Sequence, residues 1–170
     1  MKNHLTNTLE KLAIALYTYI PPRRRKNYYL MYYSSNIGDL SKNYATPDGK
    51  FIFNNYKTFK YYGQQMYNIP NEIMAQINAM NYKDWDRLIP GIKQECDFSK
   101  FISGIFKRAV KKSMTIRLMR ISYINFISRN SDITFKEREN IAKAMGHTVE
   151  EQLLYKKNKN TDNTKGNENI

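Results

Sequence analysis

The C-terminal part of the sequence contains residue types that could cleave and rejoin a phosphodiester bond. Gly146 and His147 are followed by Tyr155, eight residues after the histidine. Arg117 and Arg120 lie upstream, and a helix would place residues at this spacing on one face. A phenol can attack phosphorus, while arginines and a histidine N–H can bind the non-bridging oxygens. This pattern favours phosphoryl transfer through a phosphate bound covalently to the protein.

The same chemistry needs an acid for the departing oxygen when no metal takes part. Lys57 is our candidate, because it lies in a short stretch of β-forming residues that we predict to be hairpin-like. A strand there could hold the lysine amine over the bond to be broken. Lys50 and Lys60 compete with it, and an exposed surface position is the ordinary fate of any lysine.

Three consecutive arginines supply further positive charge near the N-terminus. Arg23, Arg24 and Arg25 follow Pro21-Pro22 at the start of a predicted helix. Backbone N–H groups and the helix dipole favour an anion at such a position. Alternatively, the three arginines could simply be exposed to solvent at the start of that helix.

The charge of the whole chain agrees with a polyanionic partner. The 28 Lys and Arg residues outnumber the 15 Asp and Glu residues, which gives a formal charge of +13 and a pI of about 9.7. After Tyr155 there are four lysines and two acidic residues, a net charge of +2, so +11 remains in the preceding residues. A field of this sign attracts nucleic acid. An AT-rich coding sequence would also enrich Lys, Asn, Tyr and Ile, so the charge alone does not decide the partner.

Composition excludes several other classes of protein. With 170 residues, one domain is the default. The single cysteine, Cys96, cannot form an intrachain disulfide, and with only two histidines the chain lacks the ligands of a Cys/His zinc cluster. No apolar run approaches the ~18 residues of a membrane span, and no export signal is visible. We expect a protein that is neither membrane-bound nor secreted and that requires neither a metal nor a cofactor.

The spacing of apolar residues predicts mostly helices. A stripe from Leu5 to Tyr17 predicts a first helix, which the two prolines end. Further helices are predicted over four segments: about 24–33, from Pro70 through Ile77, from Ser99 to Val110, and from Thr115 to about Arg129.

Between these helices, short runs rich in Tyr, Phe and Ile predict a small antiparallel sheet. The runs are Phe51–Phe53, Tyr56–Tyr62 and Met66–Ile69, and the region around Trp85 resembles a loop. The fold class is therefore mainly α with a small antiparallel sheet (α+β).

Capping signals position the last helices. Thr134 and Glu137 form a possible capping box, Gly146 is a plausible stop, and Thr148 with Glu151 repeats the capping signal before Tyr155. Residues 158–170 contain almost no apolar side chains and should be a disordered polar tail.

These motifs together resemble the catalytic domain of the tyrosine recombinase (integrase) family, particularly the divergent integrases of large DNA viruses. The resemblance covers residues 5–157. It rests on Tyr-Thr-x-x-Pro-Pro-x-Arg ending at Arg24, the hairpin lysine at Lys57, Arg117-Leu118-Met119-Arg120 in place of His-x-x-Arg, Met145-Gly146-His147, and Tyr155. It favours Arg24 over Arg23, because Arg24 keeps the family's Pro-Pro-x-Arg spacing.

The resemblance implies a mechanism and a partner. Tyr155 would attack the scissile phosphate of double-stranded DNA and form a 3′-phosphotyrosyl bond. Arg24, Arg117, Arg120 and His147 would hold the phosphate, and Lys57 would protonate the 5′-oxygen. The family also implies a homotetramer on DNA, and a viral source implies the cytoplasm, a viral factory or a virion, or the host nucleus.

The sequence departs from the family pattern in several places. Asn27 replaces an acidic residue, Arg117 and Ile121 replace histidines, and Tyr155 comes one residue early. We expect residues 1–157 to form a catalytic domain without a separate N-terminal DNA-clamping domain. Two alternatives stay open: a catalytically inactive DNA-binding protein of the same fold, and a nicking-closing enzyme like a type IB topoisomerase.

Overall fold

The computed structural model describes residues 8–129 and 132–152. In chain order two helices and three strands come first, two short helices then alternate with two strands, and three helices follow. They are α1 Thr8–Thr18, α2 Arg25–Tyr29, β1 Met31–Tyr33, β2 Asn43–Ala45, β3 Lys50–Phe53, α3 Phe59–Tyr62, β4 Gln65–Asn68, α4 Asn71–Asn78, β5 Asp86–Arg87, α5 Glu95–Val110, α6 Ile116–Ser128 and α7 Phe135–Ala144. None of the helices described is long and apolar enough to cross a membrane.

The first two helices end where prolines and sheet pairing require it. α1 buries Leu12, Ala13 and Leu16 at the predicted helical spacing. The predicted second helix is too long, because only Arg25–Tyr29 is helical. Met31–Tyr33 pairs instead with two strands from later in the chain, and this tertiary pairing outweighs the helical pattern.

The sheet has five strands in the order β4-β3-β2-β1-β5. Three neighbouring pairs are antiparallel, as predicted, but β1 and β2 run parallel with Tyr32 opposite Tyr44. The strands predicted around Phe51–Phe53 and Met66–Ile69 do pair antiparallel, whereas the parallel pair contains β1, which we predicted as part of a helix. The connecting segment 34–42 carries the chain back to the starting end of β1, which makes the two strands parallel.

The connection between β3 and β4 also differs from the prediction. The segment Tyr56–Tyr62 is a turn followed by the short helix α3, whereas we predicted a β-rich run. Lys57 thus lies in the connection between the antiparallel strands β3 and β4 and not within a strand. The predicted loop around Trp85 contains the two-residue strand β5, which pairs with the edge of β1.

The core lies between one face of the sheet and the helices. Phe51 and Phe53 alternate along β3 toward this core, where they join Leu16 of α1 and Ile73 of α4. α1 packs on α4 and α5, and α5 also packs on α2 and α6. α5 buries Phe98, Ile102, Ile105 and Phe106 on its inner face.

Helix starts and stops follow local chemistry that the sequence shows only in part. α5 begins at Glu95, before the predicted Ser99, and acidic side chains in its first turn favour the positive end of the helix. The predicted capping box of α7 is present: Thr134 N donates to Glu137 Oε2 at 2.8 Å, and Glu137 N donates to Thr134 Oγ1 at 3.2 Å. α7 ends at Ala144 with Met145 as its C-cap, and Gly146 follows with a left-handed backbone, which confirms the predicted glycine stop.

Substitution of the α7 cap should destabilise the protein. Thr134→Ala removes the capping box, and we expect the free energy of unfolding to fall by about 1 kcal/mol, measured by urea denaturation. Thr18→Ala is the matched control, because the Thr18 hydroxyl donates to the exposed Ile14 carbonyl at 3.0 Å, which water can satisfy instead. Equal stability of the two variants would contradict a capping contribution.

Candidate active site

Arg23 and Arg24 are adjacent in sequence but lie in different environments. Arg23 is buried, its guanidinium carbon is 3.7 Å from the centroid of the Phe53 ring, and it donates a hydrogen bond to Gln65. Arg24 precedes the first residue of α2 in an extended conformation and keeps a third of its side chain exposed. The structure therefore places Arg24 where a ligand can reach it, and Arg23 in the core.

Arg120 connects the segment of Arg24 to the segment of His147. Its Nη1 donates to the Pro22 carbonyl at 2.9 Å and to the Met145 carbonyl at 3.0 Å. The side chain is 3% exposed, and it reaches both carbonyls from the buried side of α6. A guanidinium can serve both carbonyls because it has five donors in a fixed plane.

A helix stop places His147. Gly146 has a left-handed backbone with φ of +69°, which favours glycine, and its N–H donates to the Lys143 carbonyl at 3.0 Å. The N–H of His147 donates to the Ala142 carbonyl at 3.1 Å. These two bonds form a Schellman motif, which turns the chain at the end of α7 and directs it past Arg120.

His147 is neutral at physiological pH. Burial, followed by the positive charge of Arg120, lowers the pKa of His147 to about 3. Arg24 adds to this effect, while Glu151 acts in the opposite direction. A neutral imidazole has one N–H donor and one acceptor nitrogen. His147 is fully buried, and as a neutral group it can donate one hydrogen bond without adding charge.

Arg117 lies one turn before Arg120 on α6 and is exposed. With Arg24 and Arg120 it lines a cavity of about 600 Å³ between α2, α5 and α6. Five of the cavity residues are basic and one is acidic; the full lining is Arg24, Arg25, Lys26, Glu95, Ser99, Ser103, Thr115, Ile116, Arg117 and Arg120. The structure thus brings together the three predicted phosphate-binding arginines.

Lys57 reaches this group of arginines through a carboxylate that the sequence analysis did not assign to the site. Lys57 forms an ion pair with Glu151, and Glu151 Oε2 is 3.3 Å from Arg24 Nη2. Burial opposes ionisation of Glu151, but the hydrogen bond from Lys57 and the charge of Arg24 outweigh it and lower the pKa of the carboxyl. At neutral pH one carboxylate therefore binds two of the predicted catalytic cations.

Glu151 appeared in the sequence only as a capping residue. Thr148 Oγ1 does accept a hydrogen bond from Glu151 N at 3.2 Å, so that part of the capping signal is present. The side chain of Glu151, however, points to Arg24 and Lys57. The sequence did contain one signal for this role. Glu151 is an acidic residue in a strongly basic chain, so many cations are available to pair with it.

Asn27 has a structural role at the position where the family resemblance led us to expect an acid. It is buried, and its carbonyl accepts a hydrogen bond from Asn43 Nδ2 at 3.1 Å. A Cβ added at Gly146 would be 4.0 Å from Asn27 Oδ1, so this side chain lies against the Gly146 turn. The carboxylate beside Arg24 comes from Glu151 instead.

Tyr155, the predicted nucleophile, lies outside the described residues. A helical turn from Val149 to Gln152 precedes it. The described tyrosines close to the arginines are poor nucleophiles, because burial raises the pKa of Tyr17 and Tyr28, and raises that of Tyr56 to about 12. The Tyr56 hydroxyl also donates to the Gly63 carbonyl at 2.7 Å.

Comparisons with known proteins bear on the fold. A scan of protein-family models and a search of curated proteins both find no match. A crystal structure of XerA recombinase matches with a TM-score of 0.59 and 13% sequence identity, over 88% of this chain and 52% of the other. This chain spans about half the length of that structure. The match confirms the α+β fold class and identifies the fold as recombinase-like.

The neutral, buried His147 predicts a pH dependence of stability. The unfolded chain binds a proton at this imidazole below its ordinary pKa of about 6.5, whereas the folded protein does not until about pH 3. Stability should therefore fall as pH drops from about 6.5, by up to about 1.4 kcal/mol per pH unit. Urea denaturation between about pH 6.5 and 5, above the main titration of carboxylates, measures it.

His147→Gln is the test variant, because glutamine is polar but does not titrate. We expect the variant to lose most of the pH slope in this window, whatever its absolute stability. An unchanged slope in His147→Gln would show that another group binds the proton on unfolding.

Proposed function

We propose that this chain cleaves and rejoins DNA strands through a covalent 3′-phosphotyrosyl bond at Tyr155, as a recombinase or integrase. One observation carries the proposal: a single cavity gathers Arg24, Arg117 and Arg120, with His147 beside Arg120. Lys57 joins the group through Glu151. The recombinase-like fold supports the proposal.

The proposed reaction is a transesterification. The Tyr155 oxygen forms a bond to phosphorus, and the bond between phosphorus and the 5′-oxygen breaks. The phenol gives its proton to solvent, and Lys57 donates one proton to the leaving oxygen and is reprotonated from solvent. The products are a 3′-phosphotyrosyl bond and a free 5′-hydroxyl. The reverse reaction rejoins a strand, because the energy of the phosphodiester is kept in the covalent bond.

The cations would stabilise the negative charge on the non-bridging oxygens of the phosphate in the transition state. Arg24, Arg117 and Arg120 can each present planar N–H donors to the non-bridging oxygens. His147 would add one neutral donor. A bound phosphate would take over the contacts of Arg24 and Lys57 with Glu151, because a phosphate oxygen and a carboxylate oxygen accept the same hydrogen bonds.

The net charge of +11 on residues 1–155 supports double-stranded DNA as the substrate. Exchange of strands between two duplexes would require several copies of the chain on DNA, and we propose a homotetramer for that step. Relaxation of supercoiled DNA without strand exchange would instead assign the same chemistry to a single protomer.

The covalent bond gives the first test. Wild-type protein should form an SDS-resistant adduct with a nicked suicide substrate, from which the cleaved fragment diffuses away. Tyr155→Phe should bind the same DNA with unchanged affinity and form no adduct, because phenylalanine has no nucleophilic oxygen. Tyr123→Phe is the control and should retain the adduct. Without an adduct in wild-type protein, the chain is a DNA-binding protein of this fold and not an enzyme.

The general acid gives the second test. Lys57→Ala should slow cleavage of ordinary DNA by about 10² to 10⁴-fold, the usual contribution of a positioned acid. A substrate with sulfur at the leaving 5′ position should restore most of the rate, since a thiolate departs without protonation. Single-turnover rates on both substrates measure the effect.

Arg24→Ala is the matched control for this rescue. It removes a cation that pairs with the same Glu151 carboxylate, but its proposed task is charge stabilisation. Its loss should be similar on the oxygen and sulfur substrates. If sulfur rescues both variants equally, or neither, Lys57 is a phosphate ligand and not the acid.

A further inference from the structure

The cavity beside the arginines is larger than one phosphate group requires. Its volume of about 600 Å³ lies in the range of pockets that hold whole small molecules, about 300 to 1,000 Å³. Beyond the three predicted phosphate-binding arginines, its wall contains Glu95, Thr115 and Ile116, together with a group of four residues: Arg25 and Lys26 from α2, and Ser99 and Ser103 from α5. We call these four residues the outer cavity.

Small side chains on α5 create this space. Ser99 and Ser103 are four residues apart and therefore share one face of the helix. The adjacent, buried face of α5 carries the large core residues Phe98, Ile102 and Ile105, which fix the helix in place. Because α2 packs on α5, two serines at this contact leave room where larger side chains would close the gap.

The outer cavity has an excess of positive charge. Glu95 is the one acidic residue among those that line the cavity, and its Oε1 is 2.5 Å from Arg25 Nε. Both side chains of this pair are well exposed, so the pair is easily exchanged for another partner. Lys26 and Arg117 form no ion pair with any residue in the described part of the chain.

We propose that the outer cavity binds a second phosphate, the neighbour of the scissile phosphate on the same DNA strand. The proposal rests on the function proposed above. Arg24 and Arg25 are consecutive in sequence and both line the cavity, so a strand whose scissile phosphate binds Arg24 brings its next phosphate toward Arg25. Arg25 and Lys26 supply charge, and the serine hydroxyls supply further donors.

The lining favours a phosphate over a base. Pockets for an unstacked base use aromatic side chains as stacking surfaces, and none of the residues that line this cavity is aromatic. Phosphate contacts fix the register and direction of a strand without reading sequence. The outer cavity would thus align the strand so that its scissile phosphate meets Arg24, Arg117 and Arg120.

Short oligonucleotides test the proposal without a known target sequence. The full chain would be titrated by NMR at constant ionic strength with the dinucleotide TpT, which has one phosphate, and the trinucleotide TpTpT, which has two. A third ligand, TpTpT with one methylphosphonate linkage, has the length of the trinucleotide but one charge fewer. The second charged phosphate should raise affinity about tenfold, the usual effect of a hydrogen bond to a charged group.

Arg25→Gln should reduce this gain to less than about twofold, because it removes the guanidinium proposed to bind the second phosphate. Lys100→Gln is the matched control: Lys100 is an exposed cation on α5, pairs with Asp97, and does not line the cavity. It should keep the gain. Glu95→Gln should strengthen binding of TpTpT more than that of TpT, since it frees Arg25. A misfolded variant cannot produce that increase.

Two results would overturn the proposal. An equal gain in wild-type protein and Arg25→Gln would place the second phosphate elsewhere. Equal binding of TpTpT and its methylphosphonate form would assign the contact to sugar or base. These titrations need no cleavage, so they are independent of the covalent adduct: an adduct without the Arg25-dependent gain rejects only the second phosphate, and the gain without an adduct rejects only the enzyme.

Discussion

The site depends on the buried guanidinium of Arg120. A buried cation is costly unless its donors are used, and this one binds backbone carbonyls from two segments that are far apart in sequence. Pro22 immediately precedes the arginine run, and Met145 immediately precedes the glycine stop. The same side chain therefore fixes the distance between Arg24 and His147, as well as lining the cavity itself. One residue thus joins two segments of the fold and also forms part of the cavity wall.

The cations of the site also differ in how tightly the protein holds them. Arg120 is held by carbonyls, Arg24 and Lys57 share Glu151, and Arg117 is exposed. Burial, followed by the positive charge of Arg120, keeps the imidazole of His147 uncharged. A polyanion that approaches this surface therefore meets two kinds of group. The exposed Arg117 can reorient at little cost, whereas the buried Arg120 is held rigidly by the two carbonyls.

Local signals in the sequence predicted the parts of the fold that local chemistry decides. Thr134 and Glu137 form the predicted capping box, and Gly146 adopts the backbone that only glycine adopts easily. The helices α1 and α6 follow from apolar spacing. Long-range pairing decided the rest: Met31–Tyr33 is a strand because β2 and β5 lie beside it, and the direction of β2 depends on the path of segment 34–42. Glu151 was missed because its partners lie more than 90 residues away.

The ion pairs of Glu151 have a consequence for ligand selection. Because the carboxylate is attached to the protein, it competes for Arg24 and Lys57 at a high effective concentration, of millimolar order for a short tether. A lone anion from solution must outcompete it through its contacts at this one site. A DNA strand brings several phosphates at once, and its contacts elsewhere raise the local concentration of the phosphate that replaces the carboxylate. Glu151 would thus make the site respond to multivalent strands in preference to free inorganic anions.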